Sequence, residues 1–384
     1  MKRFIAPLFC VGLLMAPPWS KGQEVLDVER DRTKLVPISI EGFSGEVNST
    51  LRFDLEIQGF GVVTPDKAQF QVSGSNGASL IGRVTDRINK TSLLSKEYTG
   101  GTPRSQAHTF SDDIVQLTGR RGIARTKIAF KSESGGNSEI YVADYDGYNA
   151  VAVTADNTIT RDPVWVPGKR VLFYTSYKLG PVSVYTHDLQ GRTRRPFARY
   201  PGMNAMAAAS PDGRKVAMIL SQNGSPDVYV CDIDGGNLRQ LTFTRDDESS
   251  PTWSPDSQTI CFTSRTSGRA ALYVVSANGG AMRRLRTDGA INCTEPDWSP
   301  DGKTIAFTAN MGGFQLCTVP AGGGTATMLK VAGEDPSWAP NSRNLIFTRR
   351  AGGRRAVSLL DVPTKTLKDI KQTSGSCSQP SWAK

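Results

Sequence analysis

The chain has 384 residues and a formal net charge of +10, with 38 glycines, 22 prolines, 38% hydrophobic and 8% aromatic side chains. That length allows one large domain or two around a substantial core, and the hydrophobic share excludes a disordered chain. So much glycine and proline favours short strands and turns over a helical bundle.

Residues 1–23 stand apart. Lys2 and Arg3 precede an apolar run from Phe4 to Ala16, and Pro17 and Pro18 then break it. Charge, apolar block and break describe a secretory signal peptide, and the block is too short to span a bilayer. Cleavage is expected to leave a mature start near Glu24, with a cut after Ala16 as the alternative. Loss of Lys2, Arg3 and Lys21 takes the charge from +10 to +7, and loss of Cys10 leaves five cysteines: Cys231, Cys261, Cys293, Cys317 and Cys377. An odd number makes a poor disulfide framework. Residues 24–125 hold 13 basic and 13 acidic side chains, so the surplus lies further along. In an exported protein such a surplus serves solubility, an acidic partner or an anionic envelope polymer, and nucleic acid is not expected.

Residues 24–35, polar and without periodicity, read as a flexible arm. Residues 36–120 read as a compact α/β domain. Strands are expected at Val36 to Ile40, Gly61 to Thr64, Phe70 to Ser73 and Ser79 to Val84. One short helix is expected around Leu51, Phe53, Leu55 and Ile57, ended by Gly59. A second carries Ala107, Phe110, Ile114 and Leu117 on one stripe and stops at Gly119; His108 is expected to pack on it. Residues 121–126 form the linker.

From residue 127 onward one phrase recurs. EPDWSPDGKTIAFT at Glu295 to Thr308 returns as SSPTWSPDSQTICFT and EDPSWAPNSRNLIFT, with weaker copies before them. Its marker prolines, Pro167, Pro211, Pro255, Pro300 and Pro340, lie 44, 44, 45 and 40 residues apart. A period of that size, with several short strands per unit, is that of propeller blades. Each unit has a lead strand ending at Trp165, Ala209, Trp253, Trp298, Trp338 or Trp382, then a Pro-Asp-Gly type turn and an alternating second strand. The first unit starts at its second strand, near Lys127, while the last holds only a lead strand. The fold class expected is therefore a small α/β N-terminal domain followed by an all-β, six-bladed β-propeller over residues 127–384, closed by the C-terminal strand.

Catalytic chemistry finds little support. There is no G-x-S-x-G, zinc spacing or phosphate loop, and the two histidines, His108 and His187, fall in different domains. DYDGYN (Asp144 to Asn149) and DIDGGN (Asp232 to Asn237) resemble the opening of a calcium loop, but the twelfth-position glutamate is missing and other units carry no acid there. They read as hairpin turns, so no metal and no cofactor are expected. Asp246, Asp247, Glu248, Glu334 and Asp335 gather just before lead strands, at one end of the ring.

The phrases WSPDGKTIAFT and WSPDSQTICFTS, with LYVV and a glycine pair between them, resemble the TolB propeller family. So do AHTFSDDIVQLTGRRGIARTKIAF (Ala107 to Phe130) and VADYDGYN (Val142 to Asn149), which are similar to that family's joining segment. The likeness runs in order along nearly the whole chain, apart from the missing tryptophan at Ala209. It implies a periplasmic, non-enzymatic, monomeric component of the Tol-Pal complex, supporting outer-membrane integrity and envelope constriction at cell division. In that family the mature N-terminus engages TolA, which maps to Glu24, Val25, Leu26, Asp27 and Val28. One propeller end holds the peptidoglycan-associated lipoprotein, Pal. The loops expected to do so here carry Arg245, Asp246, Asp247 and Glu248; Thr294 and Glu295; Glu334 and Asp335; and Ser378 and Gln379. The alternatives are a propeller binding carbohydrate or peptidoglycan, which the basic ring favours, and a peptidase-associated propeller.

Overall fold

The computed structural model describes residues 31–384. The expected signal peptide and Glu24 to Val28 lie outside the described residues. The N-terminal domain comprises β1 (Val36–Glu41), α1 (Gly45–Ile57), β2 (Phe60–Val62), β3 (Phe70–Asn76), β4 (Leu80–Asp86), β5 (Thr91–Tyr98) and α2 (Pro103–Gln116). Its five strands are ordered β2-β1-β3-β4-β5, with β1 parallel to both neighbours and the rest antiparallel. The apolar stripes of both helices meet Ile38, Val72 and Val84 from the sheet, burying Leu51, Leu55, Phe110 and Ile114. Gly82 lets α2 approach, because a Cβ there would lie 2.5 Å from the Phe110 ring. Thr102 and Ser105 close a reciprocal capping box, with Pro103 at the helix start.

β5 has no counterpart in the sequence reading. It is an edge strand whose side chains are mostly exposed or half-buried, so TSLLSKEY shows no clean alternation.

The remaining chain forms six four-stranded sheets around a ring. Their innermost strands are Thr160–Trp165, Asn204–Ala209, Glu248–Trp253, Cys293–Trp298, Glu334–Trp338 and Ser376–Trp382, taken below as blades 1 to 6. The last pairs antiparallel with β6 (Lys127–Ser134), Trp382 opposite Ile128, and β7 (Asn137–Asp144) and β8 (Val151–Ala152) complete that blade. The two ends of the propeller segment therefore share one sheet.

Blades pack through alternate residues of their second strands. Ile260 and Phe262 bury against Ala217 and Ile219 of the preceding blade, and Ile305 and Phe307 against Cys261 and Val274. The tryptophans tie neighbours together as well, since Trp253 Nε1 donates to the Ala208 carbonyl at 2.8 Å. In the turns Asp212, Asp256 and Asp301 accept from the hydroxyls of Ser210, Ser254 and Ser299 at 2.5 to 2.6 Å. Gly213 and Gly302 take the left-handed position that follows, and Ser257 and Ser342 take it in other blades. Those two serines accept from Asp212 N and Asp301 N of the preceding blade, at 3.1 and 3.0 Å. Cys231, Cys261, Cys293, Cys317 and Cys377 are all buried and unpaired.

Candidate functional site

Strand direction gives the ring two ends. One carries the lead-in loops and the hairpins between second and third strands; the other carries the Pro-Asp-Gly type turns, and there the α/β domain sits. Asn344 Nδ2 of a blade 5 turn donates to the Ile57 carbonyl at 2.7 Å, and Trp382 Nε1 donates to Thr126 Oγ1 at 2.7 Å. Ile57 shares an apolar cluster with Ile123, Ala339 and Ile346. Among the described residues the lead-in end is left as an open mouth.

At the mouth each innermost strand contains a residue with positive φ, three positions before its last: Asp162, Met206, Ser250, Glu295, Asp335 and Gln379, all between 52° and 54°. Each lies at an irregularity in its pairing with the second strand, where one extra residue is absorbed. Four of these side chains reach to the equivalent residue of the next blade. Glu295 Oε2 accepts from Asp335 N at 2.9 Å, Asp335 Oδ2 from Gln379 N at 3.3 Å, and Gln379 Oε1 from Asp162 N at 3.3 Å. Met206 Sδ accepts from Ser250 N at 3.3 Å. This collar surrounds a central channel with a cavity of about 220 Å³.

One side of the collar is acidic. Burial pushes the Asp335 carboxyl up to about 8, reinforced by the charge of Glu295 and opposed by the Thr348 hydroxyl. Burial raises Glu295 as well, against hydrogen bonds from Thr308 and Asp335 N. At neutral pH this pair retains a proton, as two carboxyls in one dry site must. Deeper in the channel Asp297 accepts from Trp338 N at 2.6 Å and from Lys384 Nζ at 2.8 Å.

The residues expected at the mouth divide into three groups. Glu295, Asp335 and Gln379 meet in the collar. Arg245, Asp246 and Asp247 form an exposed loop, Thr294 is half-buried, and Glu334 faces Arg350 and Arg355 at 3.5 and 3.9 Å. Glu248 and Ser378 are each only 1% exposed. Hydroxyls of Thr244 and Ser264 bond Glu248 Oε1 at 2.9 and 2.8 Å, and Thr242 Oγ1 lies between Glu248 and Asp227. Burial first, then Asp227, pushes this carboxyl up to about 7. The sequence reading passes over a further feature of the mouth. Phe243 is 77% exposed, and Tyr177, Leu179, Ile291, Met311 and Phe314 also reach solvent from loops at this end. An aromatic residue inside the polar loop TFTRDDE is the signal that points to it.

The covered end holds an ionic cluster across the seam. Asp54 of α1, Arg104 and His108 of α2, and Tyr145 and Asp146 of the turn after β7 meet there, all buried. The donor types are those of a metal site, but Asp54 is engaged by His108 and Tyr145, and Asp146 by Arg104. A guanidinium already supplies the positive charge beside Asp146, so the arrangement fits an ion-pair network and not a cation.

Fold and site together define a class: a six-bladed propeller whose ring is covered at one end by an α/β domain and open at the other. The chain belongs to the family described as the TolB beta propeller domain, which matches residues 114–384. Among curated relatives, the Tol-Pal system protein TolB of Desulfosudis oleivorans is 30% identical over 185 residues, covering 46% of this chain and 42% of that protein. That of Anaeromyxobacter dehalogenans is 35% identical over 145 residues, covering 37% and 33%. The chain thus spans less than half the length of these curated relatives. The crystal structure of TolB from Acinetobacter baumannii superposes with a TM-score of 0.83 at 21% identity, covering 92% of this chain and 98% of that one, a likeness of fold.

Proposed function

We propose that the protein is a non-enzymatic scaffold of the Tol-Pal envelope complex, exported to the periplasm, where it works as a monomer in outer-membrane integrity and constriction at division. The mouth holds Pal, and Glu24 to Val28 of the arm, residues 24–35, engage TolA. The α/β domain of residues 36–120, followed by the linker at 121–126, lies on the opposite side of the ring. One observation carries this reading: the mouth is open and its backbone is pinned by the collar, yet large apolar side chains led by Phe243 stand exposed around it. Exposed apolar groups on a rigid, partly charged rim are what a protein partner buries. Family membership supplies the system in which that partner is sought.

Binding of purified Pal to the protein, by calorimetry, tests the reading directly. A complex is expected that survives deletion of residues 24–32, whereas binding to TolA is lost by that deletion. Well-folded protein that ignores Pal would sink the proposal. Arg265, Arg269, Arg350 and Arg354 are exposed on the mouth hairpins and favour a second ligand, peptidoglycan. Pelleting with purified peptidoglycan in the absence of Pal distinguishes the two.

A further inference from the structure

The seam between the domains buries two carboxyl groups, one guanidinium and one imidazole side by side. His108 is 4% exposed, and its Nδ1 lies 2.8 Å from Asp54 Oδ2. Its other nitrogen, Nε2, lies at ion-pair distance, 3.4 Å, from Asp146 Oδ2 and makes no hydrogen bond among the described residues. Asp54 Oδ1 accepts from the Tyr145 hydroxyl at 2.5 Å, and the His108 ring meets the Tyr145 ring edge-on at 5.7 Å. Arg104 pairs with Asp146, bonds Thr50 Oγ1 at 3.1 Å, approaches Glu46 at 3.4 Å and lies over the Tyr148 ring. Asp54, Arg104 and His108 come from the α/β domain, and Tyr145, Asp146 and Tyr148 from the propeller.

With a neutral imidazole, Nδ1–H serves Asp54 and the Nε2 lone pair faces a carboxylate oxygen with no proton between them. The buried cluster then holds two carboxylates against one guanidinium, an uncompensated charge in a dry seam. An imidazolium donates from Nδ1 to Asp54 and sets its positive charge beside Asp146, and the charges cancel. We propose that His108 is an imidazolium that clamps the α/β domain to the propeller by bridging Asp54 to Asp146, and that its deprotonation loosens this seam. Two of the facing groups keep their protons near neutrality. Arg104 stays charged, and burial together with Asp54 keeps the Tyr145 hydroxyl protonated. Burial raises the Asp112 carboxyl, on the same helix, against hydrogen bonds from Ala124 N at 2.8 Å and Arg125 Nε at 3.0 Å. The Lys371 ammonium lies over the Tyr148 ring, and its backbone N–H donates to the Asp146 carbonyl at 2.8 Å.

For His108 itself, burial lowers the pKa, but the charge and hydrogen bond of Asp54 and the charge of Asp146 outweigh it, so the net shift from 6.5 is upward. The sign follows. A histidine raised in the folded state lends its full contribution below 6.5 and loses it as pH climbs through the folded value. Because the apolar contacts of Ile57 and the Asn344 bond to its carbonyl do not titrate, the expected response is a looser seam in a folded protein.

Nitrogen-detected NMR of the imidazoles tests this in the intact chain, where only two histidines need assignment and His187→Gln identifies the other. The His108 signals are expected to remain those of a doubly protonated ring above pH 6.5, and amide exchange at residues 144–149, corrected for intrinsic rates, to rise by up to roughly tenfold per pH unit between 6.5 and the folded midpoint and to level off above it. His108→Gln should abolish that dependence. A His108 midpoint at or below 6.5 overturns the proposal, as does metal at unit stoichiometry in purified protein. Equal pH dependence of exchange in wild type and His108→Gln overturns it too. If His108→Gln fails to fold, the wild-type titration decides alone.

Discussion

Glu295 and Asp335 occupy a backbone conformation and a charge state that neither would adopt in isolation. Both precede proline, which disfavours helical backbone and predicts an extended residue, yet both are left-handed. The bulge and the bond to the next blade hold them there. Neither signal is local, so the sequence marks these carboxyls as mouth residues and not as a collar. The raised proton affinity of Asp335 has a measurable consequence. A carboxyl whose folded value is raised loses stability as pH rises from its ordinary value, 3.8 for Asp335, through about 8. Asp335→Asn keeps an acceptor for Gln379 N and removes the charge. Its thermal midpoint should match wild type at or below pH 3.8 and exceed it at pH 8 by at least about 2–4 °C, read by calorimetry at the two pH values. Glu248→Gln should likewise flatten the pH dependence of stability between 4.5 and about 7, because Glu248 titrates across that window on unfolding.

At the scale of elements the blades were legible and β5 was not. Trp298 and its equivalents announce a lead strand, and the pairs at Ile305 and Phe307 announce a face, because a strand buried between blades must alternate. Thr91–Tyr98 lies at a sheet edge, where half the constraint is absent, and its pattern is correspondingly blurred. DYDGYN was legible as a hairpin, but its Asp146 and Tyr145 turn inward to meet α1 and α2, a contact no local pattern encodes. Trp253 fills an interblade site, so Trp253→Ala should cost about 3–5 kcal/mol in denaturant unfolding. Trp253→Phe, losing chiefly the bond to Ala208, should cost about 1 kcal/mol. Deletion of residues 376–384 should cost far more than its length implies, since it reopens the ring between β6 and blade 5; loss of a single cooperative transition is the expected result.

For the whole molecule the division of labour follows from which end of the ring is covered. The seam combines apolar burial around Ile57 with the His108 cluster, while the mouth leaves Phe243 and its neighbours in water. Ile57→Ala should destabilise by about 2–5 kcal/mol and separate the unfolding of the two domains, visible as a second calorimetric transition. Phe243→Ser removes an exposed side chain, so stability should stay within about 0.5 kcal/mol while affinity for the mouth partner falls tenfold or more.

Repeat period, turn chemistry and alternating strands determine this architecture from the sequence alone, because a blade is built from contacts between residues close in the chain and repeated in register. The collar at Asp162, Glu295, Asp335 and Gln379, the burial of Glu248 and the meeting of Asp54, His108 and Asp146 were decided only by tertiary structure. Each depends on which blade or domain a side chain faces across a gap of many residues, and on how far that neighbour excludes water. Charge placed in such gaps changes its proton affinity with its surroundings, and no spacing along the chain records those surroundings.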